Sequence, residues 1–242
     1  AGLGWSVAGV YSAIVLATGP TVVTPLVRQI RLASPLSDVL EAEGLILEPI
    51  GAVLALLLLE LVVGDLHGWR ELLIGLLSRL GGGVLFGSIA GLLLAEGLKR
   101  LRSEPYVGIR LQLTLGVIFL LYGVCEWLLP ESGLPASVAA GFVVGQRPST
   151  QANELDKLIR ELAQLAITML FPLLAADVSW GELSPLGWGG ITCVLFLMII
   201  VRPIAVSLAT FGLPLDNKQR LFLGWLAPRG IVTAAVASLF SI

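Results

Sequence analysis

Apolar runs long enough to cross a bilayer, separated by short charged stretches, dominate the pattern of hydrophobic and polar positions in this chain. With about 20 residues needed per crossing, the runs predict spans near 3–27, 44–63, 72–98, 111–129, 135–146, 162–180, 187–211 and 221–242, about eight in all. The fifth run is short and rich in Gly, Ala and Val, a composition that suits a buried helix packed closely on its neighbours. Ahead of the third run, Trp69, Leu72, Leu73, Leu76 and Leu77 give the 65–82 stretch the pattern of an interfacial amphipathic helix. The expected fold class is therefore an all-α, multi-pass membrane bundle.

Loop charges test this division independently. Alternate loops carry Arg28, Arg31, Lys99, Arg100, Arg102, Arg110, Arg147, Lys157, Arg160, Lys218 and Arg220 on one side and only Arg70 and Arg79 on the other, 11 against 2. A missed or invented span would have mixed the two sets. By the positive-inside rule the Arg/Lys-rich loops are cytoplasmic and both chain ends lie outside.

Two of the runs are interrupted, by Thr18-Gly19-Pro20 in the first and by Pro172 in the sixth. Gly- or Pro-broken spans in two halves of a chain point to an inverted-repeat transporter with its ion site at mid-membrane; a pair of proline kinks satisfied by neighbouring helices is the alternative.

Composition agrees with the membrane reading, since 56% of the residues are hydrophobic and 13% charged. A net charge of −2 offers no basic stripe to displace counterions from phosphate, which excludes a nucleic-acid partner. Cys125 and Cys193 both lie in apolar stretches, so no disulfide framework is expected. The chain starts at Ala1 with no signal-peptide layout and stops at Ile242 in an apolar run; it reads as one transmembrane domain fragment, 1–242, lacking N-terminal spans and a C-terminal end.

The chemistry is concentrated in the few charges inside the runs. Glu48 lies in Gly44-Leu-Ile-Leu-Glu48-Pro-Ile, where a carboxylate is costly and marks an ion or proton pathway unless a partner explains it. The proline that follows perturbs the local backbone and frees carbonyls for an ion. Held away from water, this carboxyl carries either a proton or a cation, an exchange in miniature; a protonated or ion-paired core glutamate is the alternative. Glu43 is five residues earlier, about 140° around a helix, and does not share the Glu48 face. Arg202, in Ile200-Val-Arg-Pro203, needs a buried partner, and Glu43 is the preferred one on chemical grounds; a solvated Glu43 at the cytoplasmic mouth of the span fits the spacing equally. Arg229, between Pro228 and Gly230, sits where the last span is already perturbed and is placed to hold unwound backbone.

Glu60, Glu96, Glu126 and Asp177 fall near span ends and read as interfacial, with Asp177 and Glu126 as outer-vestibule positions. His67, the one histidine, falls in an outer loop. No spacing of His and Cys suits a metal, and no nucleophile-and-base set or paired carboxylates suit an enzyme. No cofactor is expected.

At these residues the chain resembles the monovalent cation:proton antiporters of the Na+/H+ exchanger family, in their bacterial NhaP-like branch. The resemblance is carried by Ala17-Thr-Gly-Pro-Thr21, Glu43-Gly-Leu-Ile-Leu-Glu48-Pro, Ser132-Gly-Leu-Pro-Ala-Ser-Val-Ala-Ala-Gly141, Phe171-Pro-Leu-Leu-Ala-Ala-Asp177, Val201-Arg-Pro203 and, most specifically, Ala227-Pro-Arg-Gly-Ile-Val-Thr-Ala-Ala-Val-Ala-Ser-Leu-Phe240. It implies an NhaA/NhaP-like inverted-repeat antiporter fold with two discontinuous helices. In that family a Thr-Asp-Pro turn and an Asn-Asp pair build the ion site; here Gly19 stands at the first Asp and Leu47-Glu48 at the pair. Thr18 and Glu48 remain as the implied ligands, with Glu43 and Arg202 as the buried charge pair and Arg229 as a second structural arginine. A single acidic ligand fits one-for-one exchange of H+ for Na+ or K+. The resemblance further implies a homodimer formed through spans outside this chain, in a bacterial cell membrane. An ion channel, or a membrane subunit that has lost transport with the Asp at position 19, is the competing reading.

Overall fold

The computed structural model describes residues 5–17, 19, 27, 30, 32–66, 68–101, 107–146, 152–177, 187–213 and 215–226. Helices follow one another as α1 (Trp5–Leu16), α2 (Leu36–Val63), α3 (Trp69–Arg100), α4 (Val107–Leu128), α5 (Gly133–Gly145), α6 (Ala152–Asp177), α7 (Gly187–Phe196), a π-helical turn (Leu197–Val201), α8 (Arg202–Ala209) and α9 (Asn217–Trp225). Among them Leu36–Val63, Trp69–Arg100, Gly108–Leu128 and the composite Gly187–Ala209 are long and apolar enough to cross a membrane, and Gly133–Gly145 is a shorter apolar helix. The chain divides into two compact units, one of residues 1–3, 15–48 and 170–242, the other of 4–14 and 49–169.

In the second unit α3 lies along α5, and glycine makes the approach possible. Gly83, Gly87 and Gly91 recur every four residues and are buried, which puts them on one helix face. Cβ atoms at these positions would come within 2.7 Å of the Ser132 carbonyl oxygen, 2.1 Å of that of Ala136 and 2.8 Å of that of Ala140. Between apolar helices, where lipid removes any hydrophobic advantage to association, small residues permit the backbone contact that holds the pair together. Pro135, Ala136 and Ala140 supply the small complementary face on α5. Gly87→Ala is accordingly expected to destabilise this unit by at least the 1–3 kcal/mol typical of overpacking, read as a lower melting temperature of the purified protein. Gly81→Ala, where a Cβ meets nothing within 4 Å, is the matched control and should leave it unchanged.

The same unit fastens its polar ends with charge. Arg79 of α3 donates to both carboxylate oxygens of Glu60 on α2, at 2.8 and 3.0 Å. Arg110 at the start of α4 donates through Nε and Nη2 to the Leu101 carbonyl, at 3.2 and 2.8 Å. One of the orphan acceptors at the end of α3 is thereby satisfied. In the turn between α4 and α5, Glu131 takes φ 64°, and its N–H donates to Glu126 Oε1 at 2.9 Å. Burial and the neighbouring Glu126 push the Glu131 carboxyl above the usual range, against the opposing pull of Arg79.

The first unit is centred on Val27, Leu40, Val206, Leu215 and Leu223, with Leu32, Leu36, Val39 and Leu226 packed around them. Helix α9 begins at a capping box: the Asp216 side chain accepts from the Asn217 N–H at 2.8 Å, while Gln219 accepts from the Asp216 N–H at 2.9 Å. It ends at Trp225, where Leu226 turns extended (φ −78°, ψ 104°).

Two expectations need correction. The break placed at Pro172 is absent, because α6 runs from Ala152 to Asp177 with Pro172 inside it. Proline removes one N–H, the donor to Thr168 four residues back, and continuing the helix satisfies every other backbone group, which an opened segment in lipid would leave bare. The separate interfacial helix in 65–82 is also absent, since α3 is continuous from Trp69 to Arg100. Arg79, counted among the loop charges in the sequence, is partnered by Glu60 and 13% exposed.

Candidate functional site: a buried carboxylate beside a clamped helix end

Helix α2 presents three residues at four-residue spacing, Leu40, Gly44 and Glu48, all buried, and therefore stacked on one face. Leu40 belongs to the apolar core of the first unit. Glu48 continues that face with a carboxylate 7% exposed, and its Oε1 has no hydrogen-bond partner among the described residues. A buried carboxylate oxygen without a donor is destabilising unless it carries a proton or meets a cation. Pro49 follows inside the same helix, so the Leu45 carbonyl loses the N–H that would normally face it four residues on. An acidic oxygen and an under-satisfied carbonyl thus occur within one turn.

Around the helix from Glu48, Glu43 and Arg202 are brought together. The Arg202 guanidinium donates through Nη1 to Glu43 Oε1 and through Nη2 to Glu43 Oε2 at 2.8 Å. Such a two-pronged contact matches the planar fork of arginine to the carboxylate, while Arg202 Nε is buried without a partner among the described residues. The same Nη2 reaches the Leu226 carbonyl at 3.2 Å, the residue at which α9 gives way to extended backbone. Side-chain exposures of 13% for Arg202 and 16% for Glu43 leave little water to substitute for either partner.

Arg202 arrives here by an irregular route. The turn Leu197–Val201 is π-helical, and the Arg202 N–H donates to the Leu197 carbonyl, five residues back. Proline at 203, at the start of α8, accounts for the widening: it has no N–H for the Ile199 carbonyl, and its ring crowds that group.

Other residues singled out in the sequence fall as follows. Gly19 is buried and non-helical, three residues past the end of α1 at Leu16. Thr18, Pro20 and Arg229 lie outside the described residues, as does His67, and the side chain of Asp177 likewise. The π-helical turn, the contact of Arg202 with Leu226 and the extended cap at Leu226 were not anticipated. The available signals were the Arg202-Pro203 dipeptide and Pro228, three residues past Trp225, where α9 ends. Among the described residues no group of three or more His, Cys, Asp or Glu is placed to hold a metal.

Fold and site together define a multi-pass α-helical membrane protein with a buried acid, one oxygen of which has no partner among the described residues, on the helix whose Glu43 pairs with Arg202. Among known proteins, the transmembrane family of sodium/hydrogen exchangers matches residues 1–241. The chain belongs to this family. It is 25% identical over 242 residues to the probable Na(+)/H(+) antiporter 2 of Methanocaldococcus jannaschii, covering 95% of this chain and 56% of that protein. It is also 25% identical over 244 residues to the Na(+)/H(+) antiporter NhaH of Halobacillus dabanensis, covering 96% and 59%. The solved structure of the sodium proton antiporter MjNhaP1 from Methanocaldococcus jannaschii superposes with a TM-score of 0.78 at 26% identity, over 96% of this chain and 57% of that one. The antiporter fold is therefore shared, and the chain spans a little over half the length of each of these three relatives.

Proposed function

We propose that the protein containing this segment is a secondary antiporter that exchanges a monovalent cation for protons, with Glu48 binding the two in alternation. The observation that carries the reading is the buried Glu48 carboxylate in an apolar helix, one oxygen of which has no partner among the described residues. An acid so placed is stable when protonated or when coordinating a cation, and unstable when it has neither. One site that must hold one of two ions, opened alternately to each side of the membrane, gives obligatory exchange. Thr18 and the Leu45 carbonyl are the accompanying oxygen ligands in this proposal, Arg229 stabilises the interrupted last span, and residues 1–242 form part of one transmembrane domain. With one acidic ligand the exchange is one for one and electroneutral. We place the Arg/Lys-rich loops in the cytoplasm and the dimer interface in spans outside this chain.

Cation-specific proton flux, measured on the intact protein in everted vesicles at several pH values, tests this. Addition of Na+ or K+ is expected to collapse an imposed proton gradient, and the order of the two ions fixes selectivity. Because proton and cation compete, the cation concentration for half-maximal flux should rise as the pH is lowered. A current that follows voltage and ignores the proton gradient would instead identify a channel, and no flux with either cation a non-transporting subunit.

A further inference from the structure

We infer that Pro203 is a positioning residue for the ion site: by forcing the π-helical turn it sets the direction of Arg202, whose guanidinium then ties α2 to the extended end of α9. The inference rests on the antiport reading for its functional part and on geometry alone for its structural part. A π-helical turn holds one residue more than the corresponding α-helical turn, so relaxing it to α-helix moves the flanking residues by about 100° relative to one another. Arg202 is the first residue after this turn, and its backbone closes the five-residue hydrogen bond to Leu197. From there it must meet two targets, the Glu43 carboxylate and the Leu226 carbonyl, and a rotation of this size would take it from both.

Pro203 is itself seated. A Cβ built on Gly224 of α9 would lie 3.1 Å from Pro203 Cα and 3.3 Å from its Cβ, and Gly224 is buried. Helix α9 therefore touches this junction twice, through Gly224 against the proline and through the Leu226 carbonyl against the arginine that precedes it. Two contacts two residues apart on α9 meet adjacent residues of the α7–α8 junction, which fixes where α9 stops being helical. Glu43 anchors the third arm on α2, the helix that carries Glu48.

The test combines a melting cycle with transport kinetics on the intact protein. If Pro203 acts through the Arg202–Glu43 contact, the drop in melting temperature caused by Glu43→Gln should shrink markedly in a Pro203→Ala background, because the contact is already lost. Deleting Ile199 together with Pro203→Ala removes the extra residue and should restore the full Glu43→Gln effect. In flux measurements Pro203→Ala should raise the cation concentration for half-maximal rate about tenfold or more, the consequence of losing the charge-assisted contacts of Arg202 to Glu43 and Leu226, with a smaller change in maximal rate. If Pro203→Ala does not accumulate, Gly224→Ala, which presses on the same proline from α9, takes its place in the cycle. Additive melting shifts overturn the positioning role whatever the protein transports. Coupled shifts with an unaltered cation dependence overturn its link to the ion site.

Discussion

Replacing Glu48 by glutamine is expected to lower cation-dependent proton exchange by about a hundredfold or more while leaving the protein folded. The amide is nearly isosteric with the carboxylate it replaces, so packing on the buried face of α2 is kept. What is lost is the negative charge that attracts the cation and the acid that carries the proton. Charge-assisted contacts of this kind contribute roughly 1.5–3 kcal/mol each, and roughly 3 kcal/mol corresponds to about a hundredfold in rate. Stability should move little or upward, because Glu48 Oε1 has no donor among the described residues and the substitution removes a buried group whose charge is uncompensated among them. This combination, lost transport with retained or increased melting temperature, separates an ion-binding acid from a structural one, whose loss would lower both. Glu48→Asp keeps the charge but withdraws it by one methylene, and should retain part of the flux with altered cation preference. Wild-type exchange in the glutamine variant, measured in everted vesicles at matched protein levels, ends the assignment.

How much of this could be seen in the sequence depends on how local the cause is. The apolar runs carry their own signal, and the described helices overlap the expected segments, with α2 and α6 beginning eight and ten residues earlier than the runs, at Leu36 and Ala152. The short fifth run was read as a closely packed helix from its small residues, and α5 is indeed that, with Pro135, Ala136 and Ala140 buried. The glycines that face it, every fourth residue from Gly83 to Gly91, have the same kind of signature and went unread, because they were absorbed into a generic apolar run. Partnerships across the chain are harder. Arg79 looked like a loop charge because Glu60, which takes it up, is on another helix, and a long-range ion pair changes where a helix can run without leaving a local mark.

The interruptions show the same division. Thr18-Gly19-Pro20 combines a flexible residue with one that lacks a donor, and α1 ends just before it, at Leu16. Pro172 and Pro49 are also donor-less, yet α6 and α2 pass through them, since one missing bond is cheaper in an apolar setting than an opened segment. Proline in a span therefore marks a weakened turn, and whether the turn opens is decided by what else can satisfy the backbone. At Leu226 that help is visible, for Arg202 donates to its carbonyl. Neither Leu226 nor the π-helical turn that aims the arginine has a local signature beyond the prolines nearby.

Breaking the Glu43–Arg202 pair should have the largest effect on stability of any single substitution in the first unit. Arg202→Ala leaves the Glu43 carboxylate, now 16% exposed, without its donor, strips the Leu226 carbonyl of its contact, and opens a cavity along the arginine stem. Removing one partner of a buried pair costs about 3–5 kcal/mol; at roughly 2–4 °C per kcal/mol for domains of this size, the melting temperature should fall by about 10 °C. Glu43→Gln should cost less, because Arg202 keeps its bond to Leu226 and the glutamine oxygen still accepts. Arg202→Lys keeps the charge but has no planar fork, and cannot serve both carboxylate oxygens and the carbonyl from one rigid group; it should fall between the two. The informative variant is Glu43→Gln combined with Arg202→Gln, which removes both charges at once. If the penalty of Arg202→Ala comes chiefly from the stranded carboxylate, the double variant should be the more stable of the two despite carrying two substitutions. A double variant that melts below Arg202→Ala would mean that the guanidinium's hold on Leu226, and not the charge balance, is what this corner of the fold depends on.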